Sequence, residues 1–259
     1  MKPLTDLLWT VVRWTLPLTA AAVLVTVALG TTRLGEEVRR RVEARLQREF
    51  PTFEVRVRAA SLVEGEGLVI RGIEVADPSI DDPERRRLLT VDEAHLACAT
   101  ALTDLATGDV RVTSVRVQRP TLHVVRAADG RWNLADVLVG RPGGLALPVR
   151  IDDATIVVDD AGTRQRVTVR HLGIDVAPVT TEAGSALTFS GGATGDPFDR
   201  AAFTGQLVQS SGAFQLAGNV AGLDLAPQAG GLAATVGVGA WPDGLRGRVD
   251  LEWQVTGGI

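Results

Sequence analysis

Few residues in this chain have side chains able to do chemistry. There are three histidines, one cysteine (Cys98) and no tyrosine. His95 and Cys98 look like a metal pair, yet they fall in a segment of strand periodicity, where positions i and i+3 project to opposite faces and do not converge. His123 and His171 also lie in strand-like segments, with no cysteine near them, and read as ordinary surface or core histidines. Asp152-Asp153 and Asp159-Asp160 bracket a strand and offer the carboxylate oxygens that calcium takes, but adjacent aspartates at strand ends normally form turns. No GxSxG elbow, P-loop or HExxH is present, and Gly191-Gly192-Ala193-Thr194-Gly195 lacks the Lys-Ser/Thr that would follow in a phosphate loop. The expectation is a protein that is not an enzyme and holds no cofactor and no metal.

The 259 residues allow one large domain or two ordinary ones. Hydrophobic residues make up 45% and charged residues 22%, with a net charge of -4, so the chain can bury a core and is not a polyelectrolyte. A nucleic-acid partner is disfavoured, because 27 Lys+Arg face 31 Asp+Glu and the two signs are mixed along the chain. A single cysteine excludes an intramolecular disulfide framework and a multi-cysteine zinc site.

The elements that would position these residues begin with an apolar one. Trp14 to Leu29 carries no charge, and the span back to Leu7 would reach about 35 Å, enough for a ~30 Å hydrocarbon core. Arg13 can snorkel, Trp9 and Trp14 suit the interface, and Lys2 and Arg13 outweigh Asp6 on the N-terminal side. Residues 1–30 therefore read as a cytoplasmic tip and a transmembrane signal-anchor, with the bulk of the chain exported. The alternative is a cleaved signal peptide ending near Ala28-Leu29-Gly30. Residues 31–51 follow as an amphipathic helix from about Arg33 to Phe50, capped by Thr31 or Thr32 and ended by Pro51. Its apolar positions Leu34, Val38, Val42 and Leu46 form one narrow stripe. Glu36/Arg40 and Glu37/Arg41 are i,i+4 pairs, so the helix is mainly solvated with one docking edge.

After Pro51 the period changes to two. Phe53, Val55 and Val57 alternate with Glu54, Arg56 and Arg58. Further strands are predicted at 68–75, 88–97, 110–117, 121–126, 149–158, 165–176, 186–191, 201–208, 213–220 and 245–255. Ala101–Thr107 reads as a helical turn. The Gly/Pro-rich segment 140–147 separates a first β region, 52–139, from a second, 148–259, which is open to continuation past the last residue. About eleven strands at ~4.8 Å each give a sheet of roughly 50 Å. Alternation of Val249, Leu251, Trp253 and Val255 near the end leaves an open sheet edge.

One stretch carries a family resemblance: Val115-Arg116-Val117-Gln118-Arg119-Pro120-Thr121-Leu122-His123-Val124-Val125-Arg126, then Asp129-Gly130-Arg131-Trp132-Asn133-Leu134. With the N-terminal apolar segment and short helix before it, residues 1–180 resemble the AsmA-like envelope proteins. Asp77-Pro78, Leu88 to Glu93 and Ile151-Asp152-Asp153-Ala154 support the likeness. The resemblance implies an elongated, curved, mostly antiparallel β-sheet shaped like a half-pipe and built from hairpins. It also implies a relation to the bridge-like lipid transfer proteins and an apolar interior for acyl chains.

The motif has a structural explanation too. Pro120 removes a ladder donor and marks a strand boundary or bulge, and Asp129-Gly130 supplies a positive-φ turn. Trp132 packs back, and Asn133 begins a short helix as its N-cap. Arg119, Pro120, Asp129, Gly130, Trp132 and Asn133 are thus read as structural residues.

The expectation is a mainly β, inner-membrane-anchored protein whose periplasmic sheet binds or moves phospholipid for outer-membrane biogenesis. Leu122, Val124, Ile156, Val158, Val167 and Val169 are its candidate lipid-facing residues. The alternative is a non-transporting β scaffold or assembly factor that pairs with another envelope protein through the open C-terminal edge.

Overall fold

The computed structural model describes residues 34–63, 67–78, 80, 82, 86–98, 112–126, 132–133, 147–162, 165–181, 184–224 and 247–258. The anticipated membrane segment, the helical turn at Ala101–Thr107, the Asp129-Gly130 turn and nearly all of the Gly/Pro linker lie outside them. Among the described residues no helix is long and apolar enough to cross a membrane.

The protein is mainly β. One helix, α1 (Leu34–Glu49), precedes ten strands: β1 (Glu54–Val63), β2 (Gly67–Ala76), β3 (Arg87–Cys98), β4 (Val112–Arg126), β5 (Val149–Asp160), β6 (Gln165–Thr181), β7 (Gly184–Gly195), β8 (Phe198–Val208), β9 (Ala213–Asp224) and β10 (Arg248–Gly258). They are hydrogen-bonded in sequence order. The pairs β1–β2, β2–β3, β3–β4, β6–β7, β7–β8, β8–β9 and β9–β10 are antiparallel, the arrangement that short connections between neighbouring strands impose. Two compact units result. One contains α1, β1 to β3, β4 up to His123 and Leu147–Asp152; the other contains β4 from Val124, β5 from Asp153, and β6 to β10.

In the first unit α1 packs along β1. Val38, Val42 and Leu46 of the predicted stripe are buried, as are Phe50, Phe53, Val55 and Val57. Glu36 and Glu37 in the first turn and Arg48 in the last complement the helix dipole. The expected pairs form, Arg40 to Glu36 at 3.1 Å and Arg41 to Glu37 at 2.7 Å.

The next residues on the docking side of α1, four apart, do something the sequence reading did not anticipate. Arg39 Nη1 donates to the Val57 carbonyl at 3.1 Å, and the Val57 N–H donates to Glu43 Oε2 at 2.9 Å. The Val55 N–H donates to Gln47 Oε1 at 3.1 Å, while Gln47 Nε2 donates to the carbonyls of Phe53 at 2.6 Å and Phe50 at 3.3 Å. β1 is first in the strand order. At Phe53, Val55 and Val57, Arg39, Glu43 and Gln47 therefore supply the hydrogen bonds that a further strand would have made, which closes that stretch of the edge by covering it with a helix.

Strict alternation is not kept along the strands. Arg58-Ala59 lie between buried Val57 and Ala60, Arg71-Gly72 between Ile70 and Ile73, Asp92-Glu93 between Val91 and Ala94, and Gln118-Arg119 between Val117 and Pro120. The registers Ala59↔Arg71, Arg71↔Glu93 and Glu93↔Gln118 put these double steps side by side. Gly72 and Arg119 are left-handed there, with φ of 64° and 47°. A left-handed residue turns the following side chain back to the face it would otherwise leave, so the buried face continues with its residue parity changed. In the second unit Asp153 and His171 have the same conformation, φ 56° and 51°.

Pro120 is thus not a strand boundary. The anticipated strands 110–117 and 121–126 are one strand, β4, with Pro120 buried inside it opposite Val91. The proline lacks a ladder donor, and the left-handed turn at Arg119 supplies the bend that tolerates it.

Candidate functional site

The second unit carries a broad apolar surface. Its strand registers align three rows across five strands. Ile174, Gly191, Phe203, Gly218 and Trp253 form the first row, and Val176, Phe189, Gly205, Leu216 and Val255 the second. Pro178, Leu187, Leu207, Phe214 and Gly257 form the third. None of the fifteen bears a charge or a side-chain hydrogen-bonding group except the indole N–H of Trp253. The reverse face is polar and small, with Ser190, Thr204, Ala217 and Gln254 in one row and Ala202, Asn219 and Glu252 in another.

Glycines shape the apolar face. A methyl added at Gly191 would lie 2.5 Å from the Phe203 ring, one at Gly218 2.6 Å from Trp253, and one at Gly257 2.8 Å from Phe214. At Gly205 it would collide with the Phe189 ring. Each aromatic side chain therefore lies over a glycine of the neighbouring strand, so the rings add area without standing up from the sheet. Such pairs restore the packing that a glycine removes from a strand. Phe189-Ser190-Gly191 and Phe203-Thr204-Gly205 do this reciprocally, each phenylalanine resting on the other segment's glycine. The repeated Phe-Xaa-Gly was the sequence signal for this surface, and it needed the strand register to be read.

Burial of the face grades across the strands. Ile174, Val176, Leu187 and Phe189 are buried, whereas Phe203, Leu207, Phe214, Leu216, Trp253 and Val255 are partly exposed. Leu251 is 41% exposed. A shallow depression of about 800 Å³ crosses β7 to β10 on the reverse face, lined mainly by Ser190, Ala202, Thr204, Asn219, Glu252 and Gln254.

The residues singled out from sequence are placed as follows. Leu122, Val124 and Ile156 are buried, and Val158, Val167 and Val169 are partly buried. Val167 and Val169 precede the left-handed His171, after which the buried positions of β6 are Leu172, Ile174 and Val176, of the other parity. Trp132 forms a bridge with Arg126, whose guanidinium lies 5.8 Å from the indole centroid. Arg126 also pairs with buried Asp160 at 3.2 Å, and Asp160 Oδ1 accepts the Gly162 N–H at 2.8 Å, a turn-forming contact of the predicted kind. The Asn133 side chain accepts the Val125 N–H at 2.9 Å. The helix it was expected to start lies outside the described residues.

Asp152-Asp153 do not form a turn at a strand end. They sit within β5, where Arg150 and Arg116 donate to Asp152 and His171 contacts Asp153 at 2.7 Å. Burial works against the Asp152 charge, but the two guanidiniums outweigh it and hold the carboxyl below its ordinary value. Glu93 is likewise lowered, by Arg71 and then His95. Among the described residues no group of three or more His, Cys, Asp or Glu is placed to hold a metal ion. Burial raises the Cys98 thiol.

No family model matches the chain, and no curated protein matches it.

Proposed function

We propose that this is a membrane-anchored, periplasm-facing protein of the AsmA-like kind, which holds or passes phospholipid acyl chains along an apolar sheet face in the service of envelope biogenesis. The observation that carries the reading is the apolar face of β6 to β10, three rows deep and without a charged side chain, which stays partly exposed on β8 to β10. Folded chains rarely leave extended apolar patches in water unless something apolar occupies them. Rings laid flat over glycines suit a flexible hydrocarbon chain, which needs contact area and no directional bonds. The uncharged N-terminal segment and the likeness of residues 1–180 to the family support the same reading, in which the sheet curves as a half-pipe.

The test is lipid extraction and mass spectrometry of the full chain purified in mild detergent, with photo-crosslinking side chains placed at Phe203 and Leu216 and, as controls, at Thr204 and Gln215 on the reverse face. Phospholipid adducts at the first pair and not the second are expected. Absence of co-purified phospholipid together with no transfer between vesicles would sink the proposal.

A further inference from the structure

The two ends of the strand order are finished differently. The edge of β1 is closed at Val55 and Val57 by Arg39, Glu43 and Gln47. β10 is last in the order and, among the described residues, pairs with β9 alone. From the alternation of antiparallel ladders, about half of its backbone N–H and C=O groups point away from β9. β10 is also regular: its pairing with β9 shifts between Val249↔Leu223 and Leu251↔Val220, so the extra residue belongs to β9, where Gly222 has φ 66°. An eleven-residue regular edge is a template for strand addition.

We propose that β10 is a homodimer interface, in which β10 of a second copy pairs with it antiparallel about a two-fold axis at Trp253. The sequence of the strand suits a second copy in this register, which of those free of like-charge pairs overlaps the most residues. Trp253 is the midpoint of Arg248–Gly258, so a two-fold axis there overlaps the whole strand. It sets Glu252 opposite Gln254, Asp250 opposite Thr256, Leu251 opposite Val255 and Arg248 opposite Gly258. No like charges meet. Moving the axis to Glu252 opposes that carboxylate to itself, and moving it to Leu251 opposes Asp250 to Glu252 twice, each a destabilising cross-strand pair. The chosen register also puts the apolar residues of the two copies on one face. A two-fold pairing uses the same edge on both copies, so strand addition there stops at two, which gives a closed dimer and not a filament.

The test uses the full chain in detergent, with the native thiol removed by Cys98→Ser. Trp253→Cys places two thiols at the axis and should give a disulfide-linked dimer as the main product of mild oxidation. Thr256→Cys, about 20 Å from its own copy in this register at ~3.4 Å per residue, should stay monomeric on a denaturing gel. Trp253→Cys removes a ring that packs on Gly218, so a second pair avoids the apolar face: Glu252→Cys mixed with Gln254→Cys should yield the heterodimer. Light scattering of the uncrosslinked Cys98→Ser protein should give the mass of two chains. A single-chain mass, cross-linking of Thr256→Cys as readily as Trp253→Cys, failure of the Glu252→Cys and Gln254→Cys mixture, or capture of a different protein's strand at β10 would each overturn the proposal. None of these readouts depends on whether lipid is bound.

Discussion

Removing the side chains that close the β1 edge should expose two named backbone amides without unfolding the strand. Gln47 accepts the Val55 N–H and Glu43 accepts the Val57 N–H. A part-buried hydrogen bond of this kind contributes about 1 kcal/mol net, and 1 kcal/mol corresponds to roughly fivefold in an opening equilibrium. Gln47→Ala should therefore speed hydrogen exchange at Val55 about fivefold and leave Val57 near its original rate; Glu43→Ala should do the reverse.

Gln47→Glu sharpens the test, because it keeps the acceptor for Val55 but turns a carboxylate toward the Phe50 and Phe53 carbonyls. Those oxygens disfavour the charged form, so the folded state raises the new carboxyl's pKa above its unfolded value of about 4.3. The stabilisation that this carboxyl provides is complete below the unfolded pKa and is lost as pH rises through the folded one. Gln47→Glu should thus be less stable than the parent at pH 7 by about 1 kcal/mol and recover toward it near pH 4. Residue-resolved exchange by NMR or mass spectrometry reads all three variants. Equal acceleration throughout β1 to β4 in every variant would show that the contacts hold the unit together generally and do not act as an edge cap.

Arg119 holds φ 47° immediately before a proline, a conformation costing a non-glycine residue about 1–2 kcal/mol, while its exposed pair with Asp92 at 2.8 Å returns less than about 1 kcal/mol. Arg119→Gly should leave stability unchanged or raise it, and Arg119→Val should lower it by about 1–2 kcal/mol; urea midpoints decide, and a strongly destabilised glycine variant would refute the strain argument. Gly257→Ala meets only the Phe214 ring, so it should cost about 0.5–1 kcal/mol in the parent and nothing in a Phe214→Ala background; additivity in that double-mutant cycle would mean the ring does not rest on the glycine. Glu36, bonded chiefly by Arg39, has its pKa lowered to about 2, and Glu54, Glu93, Asp152 and Asp196 are also lowered. Groups with depressed folded pKa values contribute stability that is present above their unfolded values and lost as pH falls through the folded ones. The urea midpoint should therefore fall as pH drops below about 4.5 at low salt, and fall less steeply at high salt; a midpoint that rises there would contradict the sign.

Much of the architecture was legible in the sequence because it rests on short-range periodicity. The stripe Val38, Val42, Leu46 and the alternation Phe53, Val55, Val57 depend on residues within one element, and both appear in the structure as read. The double steps were not legible. Period-two counting assumes that every residue keeps extended backbone, and nothing in the types Arg119 or His171 announces a positive φ. A change of parity within a strand then shifts which valines share a face, which is why a candidate list built on fixed parity spans both buried and partly exposed positions. The edge cap was hidden for a different reason: the Gln47 to Val55 bond crosses a turn at Phe50 to Phe53, and a solvated-looking Arg39, Glu43, Gln47 row on a helix has the same sequence whether or not a strand lies beside it. The glycine and aromatic rows required cross-strand register, which short-range patterns do not contain.

The edge and the face are connected in a way that bears on both proposals. Trp253 ends the row that begins at Ile174, and pairing about Trp253 would bring the second copy's Trp253 next in that row, followed by its Gly218, Phe203, Gly191 and Ile174. That row would double in length, from five strands to ten, while the second row would continue into the other copy's Leu251. At ~4.8 Å between strands, four spacings of about 19 Å become nine of about 43 Å, longer than one extended acyl chain crossing half of a ~30 Å hydrocarbon core. Dimerisation and lipid capacity therefore make separable predictions. If the face holds acyl chains on each copy independently, a change confined to the outer edge of β10 that yields monomers leaves the bound phospholipid per chain unchanged. If the joined rows form one track, the same change lowers bound lipid per chain while photo-adducts at Phe203 of the remaining complexes persist. Measuring mass and lipid content on the same preparation distinguishes the two, and a monomer with undiminished vesicle-to-vesicle transfer would refute the joined track.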